Sequence, residues 1–223
     1  MGQNILLIED EEGIRDFLSD ILEDAGFSVS AAADGMEGLW KVQNGTYDLV
    51  LLDIMLPKID GRAVLELIRK QSAVPVIFLT ALGSETDQLQ GFDLGADDYI
   101  VKPSTAALIV KRVQATLRRC GSPGQERGGT ILSSGTLSLD TARYTATEDG
   151  APLALTYKEF EMLRLLMEHR GRVLTREMFL EQVWGIDYFG DDRVVNVHLA
   201  NLRKKLRGDW IETVRGVGYK FHG

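Results

Sequence analysis

The chain has 223 residues, of which 44% are hydrophobic and 26% are charged, a composition typical of globular proteins. No apolar run approaches the roughly 18 residues that a transmembrane helix needs, and the first residues include no basic signal-peptide region. We therefore expect a cytoplasmic protein with no membrane partner. The single cysteine, Cys120, excludes an intramolecular disulfide bond and cannot build a structural zinc site.

The net charge of −8 is confined to one half of the chain. Residues 1–122 hold 11 basic and 19 acidic side chains, whereas residues 123–223 hold 14 of each. Within the second half, residues 193–220 carry seven basic and two acidic side chains. A basic tip attracts polyanions, so this end of the chain is a candidate for nucleic-acid binding.

A glycine-rich segment separates two patterns of secondary structure. Residues 121–129 read GSPGQERGG and contain no large apolar side chain, so they predict a short flexible linker. The sequence therefore predicts a first domain over residues 1–120 and a second domain over residues 130–223.

Five short apolar runs alternate with helical patterns in the first domain. The runs are Ile5–Ile8, Phe27–Ala31, Leu49–Leu52, Val76–Leu79 and Tyr99–Val101. They are too short for helices, and the central ones are apolar on both faces, as in a covered parallel sheet. The clearest helical period places one apolar face at Ile14, Phe17, Leu18, Ile21 and Leu22. Five strands alternating with five helices predict a doubly wound α/β domain, in which ligands bind beyond the carboxyl ends of the strands.

The second domain has short strands, then three helices and a terminal hairpin. The predicted strands are 137–140, 143–147 and 153–155, and those of the hairpin are 211–214 and 219–221. Thr156 and Glu159 have the spacing of a capping box at the start of the first helix, and Thr175 caps the second. The third helix is predicted from about Arg193 to Leu206. This order predicts an α+β domain.

Acidic side chains follow two strands of the first domain. Glu9 and Asp10 follow the first strand, and Asp53 follows the third. Because parallel strands end at one edge of a sheet, these carboxylates should converge, and they persist ionised only if a cation neutralises them. Mg²⁺ is the natural candidate, since it prefers oxygen ligands. A single acidic residue after a strand is more often a helix cap or a solvated loop residue, but the set as a whole indicates a site.

Two further polar groups belong to the same edge of the sheet. The fourth strand ends in Thr80, a hydroxyl, and the fifth leads into Lys102, an ammonium. This combination suits phosphoryl transfer, because the metal ion and Lys102 offset the charge of the phosphoryl group while a carboxylate attacks it. Asp53 is the best nucleophile because it follows the central strand.

The third helix of the second domain carries polar residues on its predicted outer faces. Its spacing directs Val194, Val197 and Leu202 toward a core. The outer faces then hold Asn196, Ala200, Asn201, Arg203 and Lys204. Amide side chains can pair with adenine edges and cations with phosphates, so the helix suits a major groove. A solvated amphipathic helix would show the same pattern, and the helix alone leaves both interpretations open.

The motifs of the first domain together resemble the receiver domain of bacterial response regulators, a CheY-like fold. They are Ile-Glu-Asp-Glu at 8–11, Leu-Leu-Asp-Ile-Met-Leu-Pro at 51–57, Leu-Thr-Ala at 79–81, and Gly-Ala-Asp-Asp-Tyr at 95–99 ahead of Lys102. The resemblance covers nearly all of residues 3–119. It implies that Asp53 accepts a phosphoryl group from a sensor histidine kinase.

The same resemblance implies roles for the residues around Asp53. Lys102 would contact the phosphoryl oxygens, and Thr80 and Tyr99 would be the pair of side chains that switches on phosphorylation. Mg²⁺ would have four protein ligands, which are Glu9, Asp10, Asp53 and the backbone carbonyl of Met55.

The second domain closely resembles the winged-helix effector domain of the OmpR/PhoB subfamily. The similar residues are Leu155-Thr156, Glu159-Phe160, Leu174-Thr-Arg, Val197-His198-Leu199 and the segment 211–221. The resemblance implies that the third helix enters the major groove and that the hairpin is a wing. It implies base contacts by Asn196, Ala200 and Asn201, and phosphate contacts by Arg193, Arg203 and Lys204, with Arg215 on the wing. Segment Trp184–Asp192 would be the loop that meets RNA polymerase.

The resemblance also implies a homodimer on phosphorylation, because the subfamily dimerises through its fourth helix, fifth strand and fifth helix. Two ion pairs of that interface are available in this chain. They are Asp97 with Arg119 and Asp98 with Arg112.

These inferences describe a transcription regulator that is not an enzyme and whose binding to promoter DNA is controlled by phosphorylation of Asp53. Two alternatives remain open. A phosphatase-like enzyme would also use an aspartate, Mg²⁺ and a lysine, but it would have a second carboxylate two residues after Asp53, where this chain has Met55. A constitutive DNA-binding regulator would use the first domain only as a dimerisation module.

Overall fold

The computed structural model describes residues 2–81, 94–120, 130–185, 188 and 192–223. The chain divides into two compact units, Met1–Cys120 and Gly121–Gly223. The predicted linker, residues 121–129, lies outside the described residues. Among the helices of the described ranges, none has the length and apolar character needed to cross a bilayer.

The first unit contains a parallel sheet of five strands in the order β2-β1-β3-β4-β5. The strands are β1 (Asn4–Ile8), β2 (Ser28–Ala32), β3 (Leu49–Asp53), β4 (Val76–Thr80) and β5 (Asp98–Val101). The described helices are α1 (Glu12–Asp24), α2 (Gly35–Asn44), α3 (Gly61–Arg69) and α4 (Ala106–Cys120). The predicted doubly wound fold is confirmed, with β3 at its centre. The helix predicted between β4 and β5 falls within residues 82–93, outside the described residues.

One hydrophobic core of this unit lies between the sheet and the helices α1 and α4. Strand side chains such as Leu7, Leu51 and Leu79 pack there against buried side chains of both helices. Phe17 is an exception to the predicted apolar face of α1, because it is 49% exposed. The buried stripe of α1 is centred on Leu18 and Leu22, and Phe17 lies beyond its edge.

Gly61 lets α3 begin close to the end of β3. Its N–H donates to the carbonyl of Ile54 at 2.8 Å, and a Cβ at this position would lie 2.0 Å from the carbonyl oxygen of Asp53. Asp60 caps the helix by accepting a hydrogen bond from the N–H of Arg62 at 2.8 Å. A residue larger than glycine would therefore push α3 away from the strand that carries Asp53.

The second unit contains a four-stranded antiparallel sheet, three helices and a three-stranded sheet. The first sheet consists of β6 (Ile131–Ser134), β7 (Leu137–Asp140), β8 (Thr145–Glu148) and β9 (Ala151–Leu153). The helices are α5 (Tyr157–Glu168), α6 (Arg176–Phe179), which continues as a π-helical turn over Leu180–Trp184, and α7 (Arg193–Lys205). The second sheet has the order β10-β12-β11, from β10 (Val173–Leu174), β11 (Ile211–Val214) and β12 (Gly218–Phe221).

Two strands of the second unit were not predicted, and one was misplaced. β6 and β10 lie at sheet edges, and β10 has only two residues, too few for an alternating pattern. The strand predicted at 153–155 ends at Leu153, because the N–H of Leu155 bends back to the carbonyl of Leu153 at 3.0 Å. The winged-helix fold itself is confirmed.

The predicted capping box at the start of α5 is present. The N–H of Glu159 donates to Thr156 Oγ1 at 3.4 Å, and the N–H of Thr156 donates to Glu159 Oε2 at 2.7 Å. Lys205 Nζ also contacts Glu159 Oε2, at 2.5 Å. This ion pair fastens the end of α7 to the start of α5.

Glu148 joins the first sheet of this unit to the segment between α7 and β11. Its carboxylate accepts hydrogen bonds from the N–H of Arg207 at 2.7 Å, the N–H of Gly208 at 2.9 Å and the indole of Trp210 at 2.7 Å. Burial acts to raise the pKa of Glu148, but these hydrogen bonds outweigh it and lower the pKa below the ordinary value of 4.5. The ionised carboxylate therefore stabilises the fold.

We expect Glu148→Gln to lower the free energy of unfolding of the second unit by about 2 kcal/mol at neutral pH, because an amide accepts at only one of its two atoms. A carboxylate whose pKa is lowered in the folded state stabilises the fold at pH values above its ordinary pKa. This stabilisation is lost as the pH falls through the folded-state pKa. The difference between variant and wild type should therefore shrink in acid.

Urea denaturation of the full chain in a Trp40→Phe background tests this prediction, because the remaining tryptophans, Trp184 and Trp210, both report on the second unit. The matched control is Asp209→Asn, an exposed carboxylate in the same segment. Equal stability of Glu148→Gln and Asp209→Asn at neutral pH would contradict the role of Glu148.

Candidate functional site

Two carboxylates lie side by side at the carboxyl ends of adjacent strands. β1 pairs with β3 in a register that matches Ile8 with Leu52, which places Glu9 next to Asp53. Both are buried, whereas the third carboxylate, Asp10, is exposed, and one oxygen from each of the three lies within 4.8 Å of the others. The predicted convergence of these side chains is what the structure shows.

Lys102 joins the two buried carboxylates. Its Nζ donates to Glu9 Oε2 at 2.6 Å and to Asp53 Oδ2 at 2.6 Å. The backbone N–H of Lys102 donates to the carbonyl of Thr80 at 2.7 Å, which holds the lysine at the end of β4. Charge-assisted contacts of this length fix the ammonium between the two acids.

The pKa values of Glu9 and Lys102 are shifted by this arrangement. Burial raises the pKa of the Glu9 carboxyl above its ordinary value; the Lys102 hydrogen bond opposes this and the charge of Asp53 adds to it. Burial lowers the pKa of Lys102, but the hydrogen bonds to Asp53 and Glu9 outweigh it, so that this pKa rises. The ammonium thus stays charged, and Glu9 resists ionisation chiefly because it is buried, with the charge of Asp53 adding to that effect. The three carboxylates of the cluster also outnumber the one ammonium that contacts two of them.

The donor set fits a hard divalent cation. Three carboxylates converge within 4.8 Å, and one of them is buried with a raised pKa. A cation that binds oxygen ligands would relieve the repulsion between Glu9 and Asp53. Sulfur and nitrogen ligands of the kind that zinc prefers are not part of this cluster.

Two contacts around the cluster were not anticipated from the sequence. Arg15 of α1 donates through Nη1 to the backbone carbonyls of Glu9 at 3.0 Å and Asp10 at 3.1 Å, which orders the acidic loop. The N–H of Met55 donates to Asp53 Oδ1 at 2.9 Å, so both oxygens of Asp53 are oriented. A basic residue one turn after an acidic loop is the signal that identifies Arg15.

The two residues implied as a switch pair lie on neighbouring strands. Thr80 is fully buried at the end of β4, and Tyr99 in β5 is 5% exposed. Tyr99 pairs with Phe78 across the two strands, and the centroids of their rings are 5.2 Å apart. Thr80 is the last residue of β4, and Tyr99 lies on the strand paired with β4. A movement of the end of β4 would therefore act directly on β5.

The residues implied in a dimer interface are placed differently from one another. Asp97 is a correction, because it is fully buried and accepts hydrogen bonds from Arg69 Nη2 at 2.9 Å and the N–H of Val76 at 2.9 Å. A carboxylate in this position cannot face a partner subunit. Asp98 and Arg112 do contact each other, but within one chain, at 2.9 Å and 3.0 Å. The side chain of Arg119 lies outside the described residues.

A second candidate site is the exposed stripe of α7 together with the hairpin. Of the residues predicted to contact DNA, the exposed ones are Arg193, Ala200, Lys204 and, on the hairpin, Arg215. Asn201 is a correction to the predicted outer face, because it is only 9% exposed. The helix is buried along a wider stripe than predicted, through Val195, His198 and Leu199 as well as Val194 and Leu202, while Val197 is only half-buried.

Arg203 and Asn196 contact their own domain. Arg203 Nη2 donates to the carbonyl of Ile211 at 2.8 Å and to Thr213 Oγ1 at 2.8 Å, and its guanidinium lies 5.6 Å from the centre of the Tyr219 ring. The hydroxyl of Tyr219 donates to Asn196 Oδ1 at 2.8 Å. These contacts fasten the hairpin to α7, and Arg203 connects the two elements directly.

The start of the predicted polymerase-facing loop is packed into the second unit. Trp184 is 2% exposed, with the ring of His198 at 5.4 Å and Lys158 Nζ at 4.8 Å from its own ring centre. Residues 186, 187 and 189–191 of that loop lie outside the described residues.

Comparisons with known proteins match both units of the chain. Residues 5–114 match the response regulator receiver domain, and residues 150–221 match the family described as transcriptional regulatory protein, C terminal. The sensory transduction protein RegX3 of Mycobacterium tuberculosis is 40% identical over 225 residues, which cover 99% of this chain and 99% of RegX3. The alkaline phosphatase synthesis transcriptional regulatory protein PhoP of Bacillus subtilis is 40% identical over 232 residues, 99% of this chain and 97% of PhoP.

Solved structures match over the same extent. A mutant of RitR superposes with a TM-score of 0.83 at 28% identity over 99% of each chain. The response regulator DrrB of Thermotoga maritima, an OmpR/PhoB homologue, has a TM-score of 0.54 at 31% identity and covers 100% of both chains.

We expect Glu9→Gln to raise the free energy of unfolding of the first unit by about 1 kcal/mol at neutral pH without divalent cations. A carboxyl with a raised folded-state pKa binds more protons in the folded state, so its stabilising effect is present in acid and is lost as the pH rises through that value. The neutral amide of Glu9→Gln does not lose stability as the pH rises. The variant should therefore be more stable than the wild type at neutral pH and equally stable in acid.

Chemical denaturation of the full chain, with and without MgCl₂, measures the effect. Saturating Mg²⁺ should stabilise the wild type more than Glu9→Gln, because the variant lacks one anionic ligand. Glu23→Gln, at an exposed carboxylate of α1, is the matched control. A destabilised Glu9→Gln in the absence of Mg²⁺ would contradict the charge balance described here.

Proposed function

The chain belongs to the OmpR/PhoB family of response regulators, and we propose that phosphorylation of Asp53 controls its binding to promoter DNA. The observation that carries the proposal is the position of Asp53 at the end of the central strand, with Oδ2 held by Lys102 and Oδ1 by the N–H of Met55. Histidine kinases and promoter DNA are the partners of this family, and a sensor histidine kinase is the donor we propose here.

Asp53 would act as the nucleophile. A carboxylate oxygen of Asp53 attacks the phosphorus of a phosphohistidine, forming an O–P bond as the N–P bond breaks, and the leaving imidazole takes up a proton. Lys102 lies within hydrogen-bond distance of Asp53, so its ammonium offsets the negative charge of the transferred group. Arg15 keeps the acidic loop in place through the carbonyls of Glu9 and Asp10.

We propose Mg²⁺ as the cation of this pocket, held by carboxylates and a backbone carbonyl. The ligands would be Glu9, Asp10, Asp53 and the carbonyl of Met55. When bound, Mg²⁺ supplies positive charge to the phosphoryl oxygens and neutralises the carboxylates. The N–H of Met55 already orients Asp53, which supports a role for this segment of the backbone.

The response would travel from the end of β4 to β5. A phosphoryl group on Asp53 offers new acceptors, and the hydroxyl of Thr80 lies at the end of the adjacent strand. Movement of Thr80 changes the space beside Tyr99, the second member of the proposed switch pair. Release of Asp98 and Arg112 from their contact within one chain would let each pair with a second copy, giving a homodimer.

The second unit would bind duplex DNA through α7 and the hairpin. Arg193 and Lys204 on the helix and Arg215 on the hairpin are exposed cations suited to phosphates. Arg203 would position the hairpin relative to the helix rather than contact phosphate itself, because its guanidinium donates hydrogen bonds to Ile211 and Thr213 of β11. The loop after Trp184 is the proposed contact for RNA polymerase, and the proposed location is the cytoplasm.

Acetyl phosphate with MgCl₂ provides the test of this function. We expect the wild-type chain to gain the mass of one phosphoryl group and to bind its DNA sites about 100-fold more tightly, because dimerisation makes the second half-site contact intramolecular. Asp53→Asn should show neither change, and the matched control Asp20→Asn, an exposed carboxylate of α1, should behave like the wild type.

Mass spectrometry and fluorescence anisotropy with duplex DNA provide the two readouts. Phosphorylation without a change in DNA affinity would instead support a constitutive regulator whose receiver only dimerises. Sustained release of phosphate from small phosphoesters would support a phosphatase-like enzyme. Either result would contradict the proposed switch.

A further inference from the structure

Asn196 lies on the exposed stripe of the proposed DNA-reading helix. It is half-buried, three residues after Arg193 and four residues before Ala200, and both of these are exposed. Residues at these separations share one face of a helix. The side chain of Asn196 is therefore at the level of the surface that would meet a groove of DNA.

The oxygen of the Asn196 amide is engaged by two donors from its own domain. Arg176 Nε donates to Oδ1 at 2.9 Å, and the hydroxyl of Tyr219 donates to the same oxygen at 2.8 Å. An arginine Nε carries a hydrogen and cannot accept, so only the oxygen end of the amide can face it. Rotating the amide by half a turn would place the N–H groups of Nδ2 against the N–H of Arg176 Nε, where no hydrogen bond can form.

Tyr219, one of the two donors, is itself held in place. Tyr219 lies in β12, is 6% exposed and packs edge-on against Phe179, with ring centroids 6.2 Å apart. The guanidinium of Arg203 lies over the same ring at 5.6 Å. Arg176 is the first residue of α6. The orientation of the Asn196 amide is therefore set by donors from two other elements of the domain, α6 and β12, before any DNA is bound.

The nitrogen of the amide is directed away from these contacts. Within the described ranges, Asn196 Nδ2 makes no hydrogen bond, and it is not among the buried polar atoms that lack a partner. It is thus accessible and carries two N–H donors. Nδ2 of Asn196 can therefore donate to a ligand, whereas Oδ1 is already engaged and cannot accept from one.

We propose that Asn196 reads a keto base, guanine or thymine, in the major groove and discriminates against adenine and cytosine. This inference rests on the proposed binding of α7 to DNA. Guanine presents two acceptors, N7 and O6, thymine presents O4, and cytosine presents an amino group. Adenine also presents N7, but its amino group lies where guanine has O6, so a side chain that only donates finds one acceptor on adenine and two on guanine. The usual pairing of asparagine with adenine needs a free Oδ1, and here that oxygen is occupied.

Selection from a pool of random-sequence duplex DNA tests the proposal with the full chain and acetyl phosphate present. Asn196→Asp keeps one oxygen for Arg176 and Tyr219 and turns the other, an acceptor, toward DNA. We expect this variant to reverse the preference at one base-pair position, from keto to amino bases, with a change of about tenfold in relative affinity. All other positions should keep their wild-type preference.

A double variant provides the second arm. Arg176→Met with Tyr219→Phe removes both donors, so the amide of Asn196 can rotate and offer Oδ1. We expect the same base-pair position then to accept adenine as well. Asn44→Asp in α2 is the matched control, which should leave the selected sequences unchanged.

Several outcomes would overturn the proposal. An identical selected sequence for wild type and Asn196→Asp would show that Asn196 reads no base. Uniformly weaker binding at every sequence would assign its donor to a phosphate instead. Selection of adenine by the wild type, lost when the adenine amino group is removed from the DNA, would show the usual pairing. Failure of the wild type to bind any duplex would contradict the proposed function itself, and this inference with it.

Discussion

Repulsion between two carboxylates is the constraint on which the first unit depends. The parallel pairing of β1 with β3 leaves Glu9 and Asp53 no alternative to being neighbours, because the register is fixed by the apolar residues before them. Lys102 offsets part of this charge from the end of β5. The negative charge that Lys102 leaves uncompensated makes the pocket less stable than an apolar one would be, and it is the charge that the proposed divalent cation would neutralise.

In the second unit, one aromatic residue connects several polar side chains. Tyr219 is shared by the hairpin, by Arg203 from α7 and by Asn196 on the exposed stripe. The helix that would enter a groove and the hairpin that would lie beside it are thus connected through one aromatic ring. Asn196 and Arg203 of this helix therefore hold the domain together in addition to the roles proposed for them in DNA binding.

The sequence was sufficient for the fold and for the members of the acidic pocket, because both depend on local pattern. Apolar runs give the strands, and parallel strands bring their ends together wherever the intervening residues lie. Strand β10 was missed because two residues give no alternation to detect, and β6 because this edge strand is mostly exposed and shows no alternating pattern of apolar residues. The period of α1 likewise could not show that Phe17 would lie outside the buried stripe.

Contacts between distant residues account for most of the remaining differences. Asp97 is buried because Arg69, 28 positions earlier, reaches it, and no local pattern contains that pairing. Asn196 is oriented by Arg176 and Tyr219, which are 20 and 23 positions away. The burial of Asn201 follows from the width of the α7 contact with its domain. Exposure inferred from helical spacing alone is reliable only at the centre of a face.

Burial and the neighbouring charge of Asp53 together raise the pKa of the Glu9 carboxyl, against the opposing contact with Lys102. Carbon-13 NMR of the Glu9 side-chain carboxyl, followed through a pH titration of the full chain with and without MgCl₂, measures this directly. We expect a pKa above the ordinary value of 4.5 without the metal and a marked fall when Mg²⁺ binds. A pKa at or below that value, with no response to Mg²⁺, would contradict it.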